Sequence, residues 1–240
     1  MAPSLLADAR RGDREVPAVG LQQLDALSRA CGIRLRAYRD DHVAERVARA
    51  KVREEVRSPA ALATLLRRCP DARARFRRSV AISVTGPLRD PEQFDLLRTT
   101  ILPMLDRGGD LRIWSAGCAT GHELRDVAAL VTGGAWMLGS DLLEENVRTA
   151  RAGAAPLGKS VRWEVRDLTQ DGTPEGRFHL ILCRNVGIYL APDARKRLID
   201  LLASVLAPGG VLMLGRSEVL VDPALHGLRP CADHAYRRPR

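Results

Sequence analysis

The chain has 240 residues, of which 45% are hydrophobic, and its formal net charge at pH 7 is +9. This composition excludes a disordered polyelectrolyte and leaves enough apolar residues for the core of one large domain or two small ones. No apolar run reaches the roughly 18 to 20 residues of a membrane span, and the first 20 residues hold no apolar segment long enough for a signal peptide. The sequence therefore predicts a cytoplasmic protein with no membrane insertion.

The basic excess lies in the first third of the chain. Residues 1–86 contain 18 Lys or Arg and 10 Asp or Glu, whereas residues 87–240 contain 20 and 19. Such a surface is either a solvated helical face or a site for nucleic acid, for an acidic protein surface or for an acidic small molecule. The charge alone leaves all four readings open.

Cysteine and histidine spacing argues against metal and disulfide sites. The five cysteines are far apart and form no CxxC pair, and the five histidines show no HExxH spacing. We therefore expect reduced thiols, no disulfide framework and no metal site.

The sequence of the N-terminal third predicts a flexible tail followed by helices. Residues 1–20 show no sustained periodicity, whereas leucines recur at three-residue steps from Leu21 until Gly32 ends the first helix. A second helix is predicted through about residue 57. Ser58 and Pro59 are an N-cap and a first helical residue for a third helix that Pro70 ends, and a fourth runs from Asp71 to about Ser79.

Beyond residue 110 short strands alternate with helices. The predicted strands are 111–116, 135–141, 161–165, 178–183 and 211–215. The predicted helices are 122–131, 143–151 and 192–206, the last ended by Ala207-Pro208-Gly209-Gly210. This alternation predicts an α/β fold with a mostly parallel sheet and helices on both faces.

Two features at the ends of the first two strands point to a ligand. A glycine turn, GCATG at 117–121, follows the first strand. It is either a close-approach loop for a ligand or a tight packing turn, and it is not the GxGxxG of a dinucleotide site. Asp141 ends the second strand, where a carboxylate accepts from ribose hydroxyls or caps the next helix.

The chain resembles the CheR-type chemotaxis protein-glutamate methyltransferases over residues 31–240. The motifs that carry the resemblance are VTGPLRDPEQFDLLRTTILPML at 84–105, IWSAGCATGHEL at 113–124, GSDLLEENVRTAR at 139–151, LILCRNVGIYLAP at 180–192 and LAPGGVLMLGRSEVL at 206–220. The resemblance implies a basic helical domain over 21–84 and a class I, Rossmann-like S-adenosylmethionine (SAM) methyltransferase domain over 85–240. It also implies SAM as the methyl donor, S-adenosylhomocysteine (SAH) as the product, and glutamate side chains of a chemoreceptor-like protein as the acceptor.

The resemblance also implies the site residues. Those that match the family's cofactor-binding positions are Thr85, Arg89, Ala116, Gly117, Glu123, Asp141, Asp167, Leu168, Arg184 and Asn185. Arg89 and Tyr189 match positions beside the transferable methyl, and we predict that they hold the acceptor carboxylate as catalytic residues. The alternatives are a structural ion pair of Arg89 with Asp90 or Glu92 and a core role for Tyr189.

One departure from the family concerns the substrate. Family members that dock on receptor tails carry a small β-subdomain where this chain has only residues 152–160, too few for two strands and a turn. We therefore expect no such docking, which leaves an acidic protein or a small carboxylate as the acceptor. In the family the helical domain meets an acidic helix, and Arg46, Arg49 and Arg53 share one helix face here.

Three other functions stay open at this stage. They are a small-molecule or natural-product methyltransferase on the same scaffold, a non-catalytic SAM-binding module, and a nucleic-acid methyltransferase. The last is disfavoured, because no aromatic residues interleave the arginine clusters and Cys183-Arg184-Asn185-Val186 stands where an NPPY-like tetrad would.

Overall fold

The computed structural model describes residues 18–81, 90–105, 109–153 and 159–240. Most of the predicted N-terminal tail lies outside the described residues. Thr85 and Arg89, two of the predicted site residues, also lie outside them.

The helical region contains the four helices that the sequence predicts. They are α1 (Leu21–Cys31), α2 (Asp40–Arg53), α3 (Pro59–Arg68) and α4 (Pro70–Ala81). Gly32 ends α1 in the left-handed conformation with φ 69°, and the Ser58 hydroxyl accepts a hydrogen bond from the Ala61 N–H at 3.2 Å. Pro70, predicted to end α3, is also the first residue of α4, a position where its missing N–H costs nothing.

Glu54, which follows α2, joins that helix to α4. Its carboxylate accepts hydrogen bonds from Arg75 Nε at 3.0 Å, from Arg75 Nη2 at 2.7 Å and from Arg53 Nε at 2.7 Å. The hydrogen bonds from Arg75, with a smaller contribution from Arg53, lower the pKa of Glu54 from 4.5 to about 2. The ion pair therefore stabilises the helical region only while this carboxylate is ionised.

We expect this pair to give the protein an acid-sensitive component of stability. Because the folded-state pKa is depressed, the contribution is complete above about pH 4.5 and is lost as the pH falls through about 2. Glu54→Gln should be less stable at neutral pH and should lack this decline. Thermal unfolding from pH 6 down to 2 measures both effects. Glu55→Gln, at an exposed neighbouring position, is the control and should follow the unsubstituted protein.

The described residues after α4 include a seven-stranded β-sheet. Its strands are β1 (Leu111–Ala116), β2 (Ala135–Asp141), β3 (Ser160–Val165), β4 (Phe178–Cys183), β5 (Leu206–Leu214), β6 (Arg229–Ala232) and β7 (Ala235–Arg237). The order is β3-β2-β1-β4-β5-β7-β6, with β1 to β5 parallel and β7 antiparallel to both of its neighbours. The predicted mostly parallel sheet is confirmed.

Helices cover both faces of this sheet. The remaining helices are α5 (Pro91–Leu96), which continues through a π-helical turn (Leu97–Ile101) into α6 (Leu102–Leu105), then α7 (His122–Leu130), α8 (Glu144–Ala152) and α9 (Pro192–Ser204). Side chains alternate along β4: Ile181 packs in a core shared with the N-terminal helices and α9, and Leu180 and Leu182 pack in a second core with α5, α6 and α7. The N-terminal helices thus share a core with the sheet.

The fifth strand begins earlier than the sequence predicts. The predicted strand starts at residue 211, after a helix end at Ala207-Pro208-Gly209-Gly210, whereas β5 starts at Leu206 and α9 stops at Ser204. The register with β4 shifts between the pairs Phe178–Leu206 and Leu180–Val211, so the Pro-Gly-Gly segment forms an irregularity inside a strand. The prediction treated these residues as a helix terminator and was wrong on this point.

None of the helices among the described residues is long and apolar enough to span a membrane.

Candidate functional site

A cavity opens at the carboxyl ends of β1, β2 and β4. Predicted site residues from five separate segments line it, namely Gly117, Glu123, Asp141, Asp167, Leu168, Arg184, Asn185 and Tyr189. Ala116 lies at the end of β1, is 1% exposed and does not line the cavity. Ligands of open α/β sheets bind at this edge, so the fold places the predicted residues where a cofactor would lie. The roles of the individual residues stay predictions.

The glycine turn forms the floor beside β1. Gly117 has φ 84°, and the N–H groups of Gly117 and Cys118 donate to the Ser140 carbonyl at 2.8 and 2.9 Å. A Cβ atom at Gly117 would lie 2.5 Å from Val186 Cγ2, a side chain that also lines the cavity. Both the backbone conformation and this close approach require glycine here.

We expect Gly117→Ala to weaken both the fold and ligand binding. The left-handed backbone and the clash with Val186 should together cost about 2 kcal/mol of unfolding free energy. Displacement of the loop should also weaken SAH binding. Urea denaturation and titration calorimetry measure the two effects. Gly172→Ala is the matched control, because a Cβ atom there has no neighbour within 4 Å, and it should change neither quantity.

Asp141, at the end of β2, is tied into the backbone around it. Its Oδ1 accepts from the Leu143 N–H and Asn146 Nδ2, and its Oδ2 accepts from the Ala119 N–H, all at 2.9 Å. Asp141 does not cap α8, whose N-cap is Leu143; it instead holds the turn that precedes this helix, and its side chain lines the cavity. Burial raises the pKa of Asp141 against the opposing effect of these donors.

Arg184 joins three elements at the other wall. Its Nε donates to Gln93 Oε1 at 2.8 Å, Nη1 to Glu123 Oε2 at 2.9 Å and Nη2 to Asp90 Oδ2 at 2.9 Å. The side chain is 5% exposed and its guanidinium lies 5.3 Å from the ring centroid of Phe94. Glu123 also accepts from the Ser115 hydroxyl at 2.8 Å. The guanidinium thus orders the carboxylates of this wall.

Asp167 and Leu168 lie at the mouth beyond β3. The Asp167 carboxylate accepts from the N–H and hydroxyl of Thr169 and from Gln170 Nε2. These bonds close a local turn, so the carboxylate is engaged mainly by its own loop. Leu168 supplies an apolar surface beside it.

Tyr189 sits in a short 3-10 helix (Gly187–Tyr189) that is bonded to the N-terminal helical region. The Arg39 N–H donates to the Tyr189 carbonyl at 3.0 Å, and the Ala191 N–H donates to the Ala37 carbonyl at 2.9 Å. Tyr38, which lies between Ala37 and Arg39, forms an isolated β-bridge with Leu190 and lines the same cavity. The sequence reasoning missed Tyr38, because only this pairing brings it to the site.

Glu218, a second missed residue, supports the loop after β4. It is 2% exposed, and its carboxylate accepts from the N–H groups of Asn185 at 2.5 Å, Gly187 at 2.8 Å and Gly215 at 3.0 Å. Asn185 has φ 61°, a conformation that these bonds help to hold. The GRSEVL motif contained this residue, but its role depends on contacts distant in sequence.

Among the described residues, no three His, Cys, Asp or Glu side chains are grouped so that they could hold a metal ion. The cavity instead combines four carboxylates (Glu123, Asp126, Asp141 and Asp167) with two guanidinium groups.

Comparison with known proteins places the chain among methyltransferases. The family model described as "CheR methyltransferase, SAM binding domain" matches residues 83–156 and 154–230. A chemotaxis protein methyltransferase of Listeria monocytogenes is 28% identical over 192 residues, 65% of this chain and 73% of that protein. Chemotaxis protein methyltransferase 2 of Pseudomonas aeruginosa is 27% identical over 255 aligned positions, 90% of this chain and 91% of that protein. A SAM-dependent methyltransferase structure from Mesorhizobium loti is 28% identical, with TM-score 0.39, over 48% of this chain and 50% of that one.

Proposed function

The chain belongs to the CheR methyltransferase family and is a SAM-dependent methyltransferase, and on that premise we propose that it methylates side-chain carboxylates of an acidic protein, glutamates in a signalling protein above all. The relatives' names support this acceptor class, since they are called chemotaxis protein methyltransferases. The observation that carries the proposal is that Asp141 and Tyr189, predicted to serve the ribose and the acceptor, line one cavity.

The residues of the cavity fit SAM. Gly117 lines the cavity beside the end of β1 and permits the close approach of Val186, and the described residues leave one lone pair of the Asp141 carboxylate unused. Leu168 offers an apolar contact suited to an adenine ring. We place the ribose at Asp141, the adenine at Asp167 and Leu168, and the amino-acid end at Glu123 and the loop of Arg184 and Asn185.

The chemistry asks little of the protein beyond orientation. Bound SAM supplies an electrophilic methyl group to an oxygen of an ionised carboxylate, and the electron pair of the broken C–S bond remains on sulfur. Glutamate is ionised at neutral pH, so no side chain needs to act as a general base. The Tyr189 hydroxyl can donate to one acceptor oxygen, and Arg89 remains the predicted partner for the other.

The basic helical region supports an acidic protein as the acceptor. Arg49 and Arg53 on α2 have side chains that are 67% and 38% exposed, whereas the Arg46 side chain is 17% exposed. The described part of the basic region, residues 18–81, holds 15 Lys or Arg and 7 Asp or Glu, and hydrogen bonds of Ala37 and Arg39 join it to the Tyr189 loop. An acidic partner would be drawn toward this side of the molecule and reach the active site from it.

Methyl transfer from labelled SAM to proteins of the host lysate tests the proposal. We expect label on acidic proteins, released as methanol by mild alkali because carboxyl methyl esters hydrolyse there and methylated amines do not. Tyr189→Phe should lower the rate, and Asp141→Ala should abolish saturation by SAM at concentrations that saturate the unsubstituted enzyme. Tight SAH binding without any alkali-labile label would instead indicate a SAM-binding module.

A small carboxylate is the second candidate, and one observation favours it. Helix α8 ends at Ala152 and β3 begins at Ser160, so only seven residues lie between them, too few for the two strands and a turn of a receptor-docking subdomain. Alkali-labile label that appears only in the protein-free fraction of the lysate would support this candidate over a protein acceptor.

A further inference from the structure

The hydroxyl of Tyr38 is a polar group at the cavity that none of the described residues bonds. The Tyr38 side chain belongs to the helical region, is 8% exposed and lines the cavity. Within the part of the chain that the structure describes, its hydroxyl makes no hydrogen bond. The ring is covered, but the hydroxyl is not among the fully buried atoms that lack a partner, so it is reached from the cavity and can bond a ligand bound there.

Two backbone contacts and one ring contact hold Tyr38 in place. The backbone N–H of Tyr38 donates to the Leu35 carbonyl at 3.0 Å, and the backbone of Tyr38 forms a β-bridge with Leu190. The ring stacks on His42 with a centroid distance of 5.9 Å and an interplanar angle of 18°. His42 Nε2 in turn donates to the Val80 carbonyl at 3.0 Å. The hydroxyl is therefore held in place before any ligand arrives.

The Tyr38 side chain lines the same cavity as Asp141 and Asp167, the carboxylates that we place at the ribose and the adenine. Burial, and then the charge of Asp167, raise the pKa of Tyr38, with a smaller contribution from Asp141 and an opposing one from Arg77. The hydroxyl is therefore protonated and able to donate. The two carboxylates that act on it are those placed at the adenine and the ribose.

Asp141 has room for only one more hydrogen bond. Each carboxylate oxygen accepts about two bonds. Oδ1 already accepts from the Leu143 N–H and Asn146 Nδ2, and Oδ2 accepts from the Ala119 N–H. A ribose carries two hydroxyls in this part of SAM, so one of them can bind Oδ2 and the other needs a different partner.

We propose that the Tyr38 hydroxyl binds one ribose hydroxyl of the cofactor, so that the helical region supplies part of the cofactor site itself. This inference rests on the proposed placement of the ribose at Asp141, and it concerns cofactor binding rather than the methyl acceptor. It makes cofactor affinity depend on the contact between the helical region and the sheet.

Titration of the full chain with SAH tests the contact without any turnover. Tyr38→Phe keeps the stacked ring and removes the hydroxyl, and we expect its Kd for SAH to rise about five- to tenfold. Tyr236→Phe is the matched control, since it removes a tyrosine hydroxyl that accepts from the Leu220 N–H and does not line the cavity. Its Kd should stay within about twofold of the unsubstituted protein, even if its Tm falls.

SAH analogues lacking the 2′- or the 3′-hydroxyl identify the bonded atom. The analogue that lacks the hydroxyl bonded by Tyr38 should bind the unsubstituted protein more weakly than SAH does. The same analogue should bind Tyr38→Phe as tightly as SAH binds that variant, as expected when the variant and the analogue remove the same bond. An unchanged Kd for Tyr38→Phe, or equal losses with both analogues in both proteins, would overturn the inference. Asp141→Ala tests the ribose placement separately, because an unchanged SAH affinity there would refute the placement and not only the role of Tyr38.

Discussion

Replacement of Arg184 by alanine is expected to lower the free energy of unfolding by about 3–5 kcal/mol. The guanidinium is 5% exposed, and the Glu123 and Asp90 side chains that it bonds are 17% and 21% exposed. Removal of the cation breaks its ion pairs with two mostly covered carboxylates and its hydrogen bond to Gln93 Oε1. Urea denaturation measures the loss.

Two companion variants separate this effect from a general cost of losing arginine. Arg98→Ala breaks an exposed pair with Asp95 and should cost less than about 0.5 kcal/mol. The double variant Glu123→Gln/Arg184→Met should be more stable than Arg184→Met alone, because one unpaired charge has been removed. A loss below about 1 kcal/mol for Arg184→Ala would show that solvent compensates these carboxylates.

Arg184→Ala should also weaken SAH binding. Glu123 and Arg184 both line the cavity, and repulsion between Glu123 and Asp90 would displace the wall that they form. The resemblance assigns Arg184 directly to the cofactor, whereas its Nε, Nη1 and Nη2 atoms each donate to a protein acceptor. We therefore expect Arg184 to act on the cofactor chiefly by positioning Glu123, a role that the Kd of Arg184→Lys can measure.

The elements that the sequence predicted well carry strong local signals. Strands β1, β2 and β4 are apolar runs bounded by glycines or loops, and α1 and α3 carry a left-handed Gly32 and a Ser58 cap. The early start of β5 carried no such signal, because Pro208 and two glycines ordinarily end an element and here lie within an irregular strand. Strands β6 and β7 are short and depend on antiparallel pairing with β5.

The site residues also differ in whether a local signal predicts them. Gly117 follows a predicted strand and Asp141 ends another, so their position at the carboxyl edge of the sheet follows from the fold. Tyr38 and Glu218 reach the site through contacts that no local pattern shows. Tyr38 arrives through a bridge to Leu190, and Glu218 lies 31 to 33 positions after the loop that it supports. Tyr38 lies outside the motifs that predicted the cavity, and Glu218 lies within one of them at a position whose role the motif did not show.

Glu218→Ala is expected to reduce the rate of methyl transfer on the order of 100-fold and to cost about 3 kcal/mol of stability. Three N–H groups, those of Asn185, Gly187 and Gly215, would lose a buried acceptor, and each loss destabilises the protein by about 1–3 kcal/mol. The removal of a buried charge offsets part of this destabilisation. The freed loop carries Tyr189, and a displacement of about 1 Å at a reacting centre is enough for a rate loss of this order. Glu175→Ala, at an exposed position, should change neither quantity.

Glu218→Gln distinguishes a positioning role from simple structural support. A neutral amide keeps only one acceptor oxygen, so we expect kcat to fall by a larger factor than the one by which the Kd for SAH rises through the Asn185 loop; equal losses in both would contradict the role. Burial raises the pKa of Glu218. Its contribution to stability is therefore complete below pH 4.5 and is lost as the pH rises through the folded-state pKa. The stability difference between the unsubstituted protein and Glu218→Gln should shrink over that rise, because glutamine does not titrate. A difference that stays constant with pH would mean that this carboxyl keeps its ordinary pKa in the folded protein.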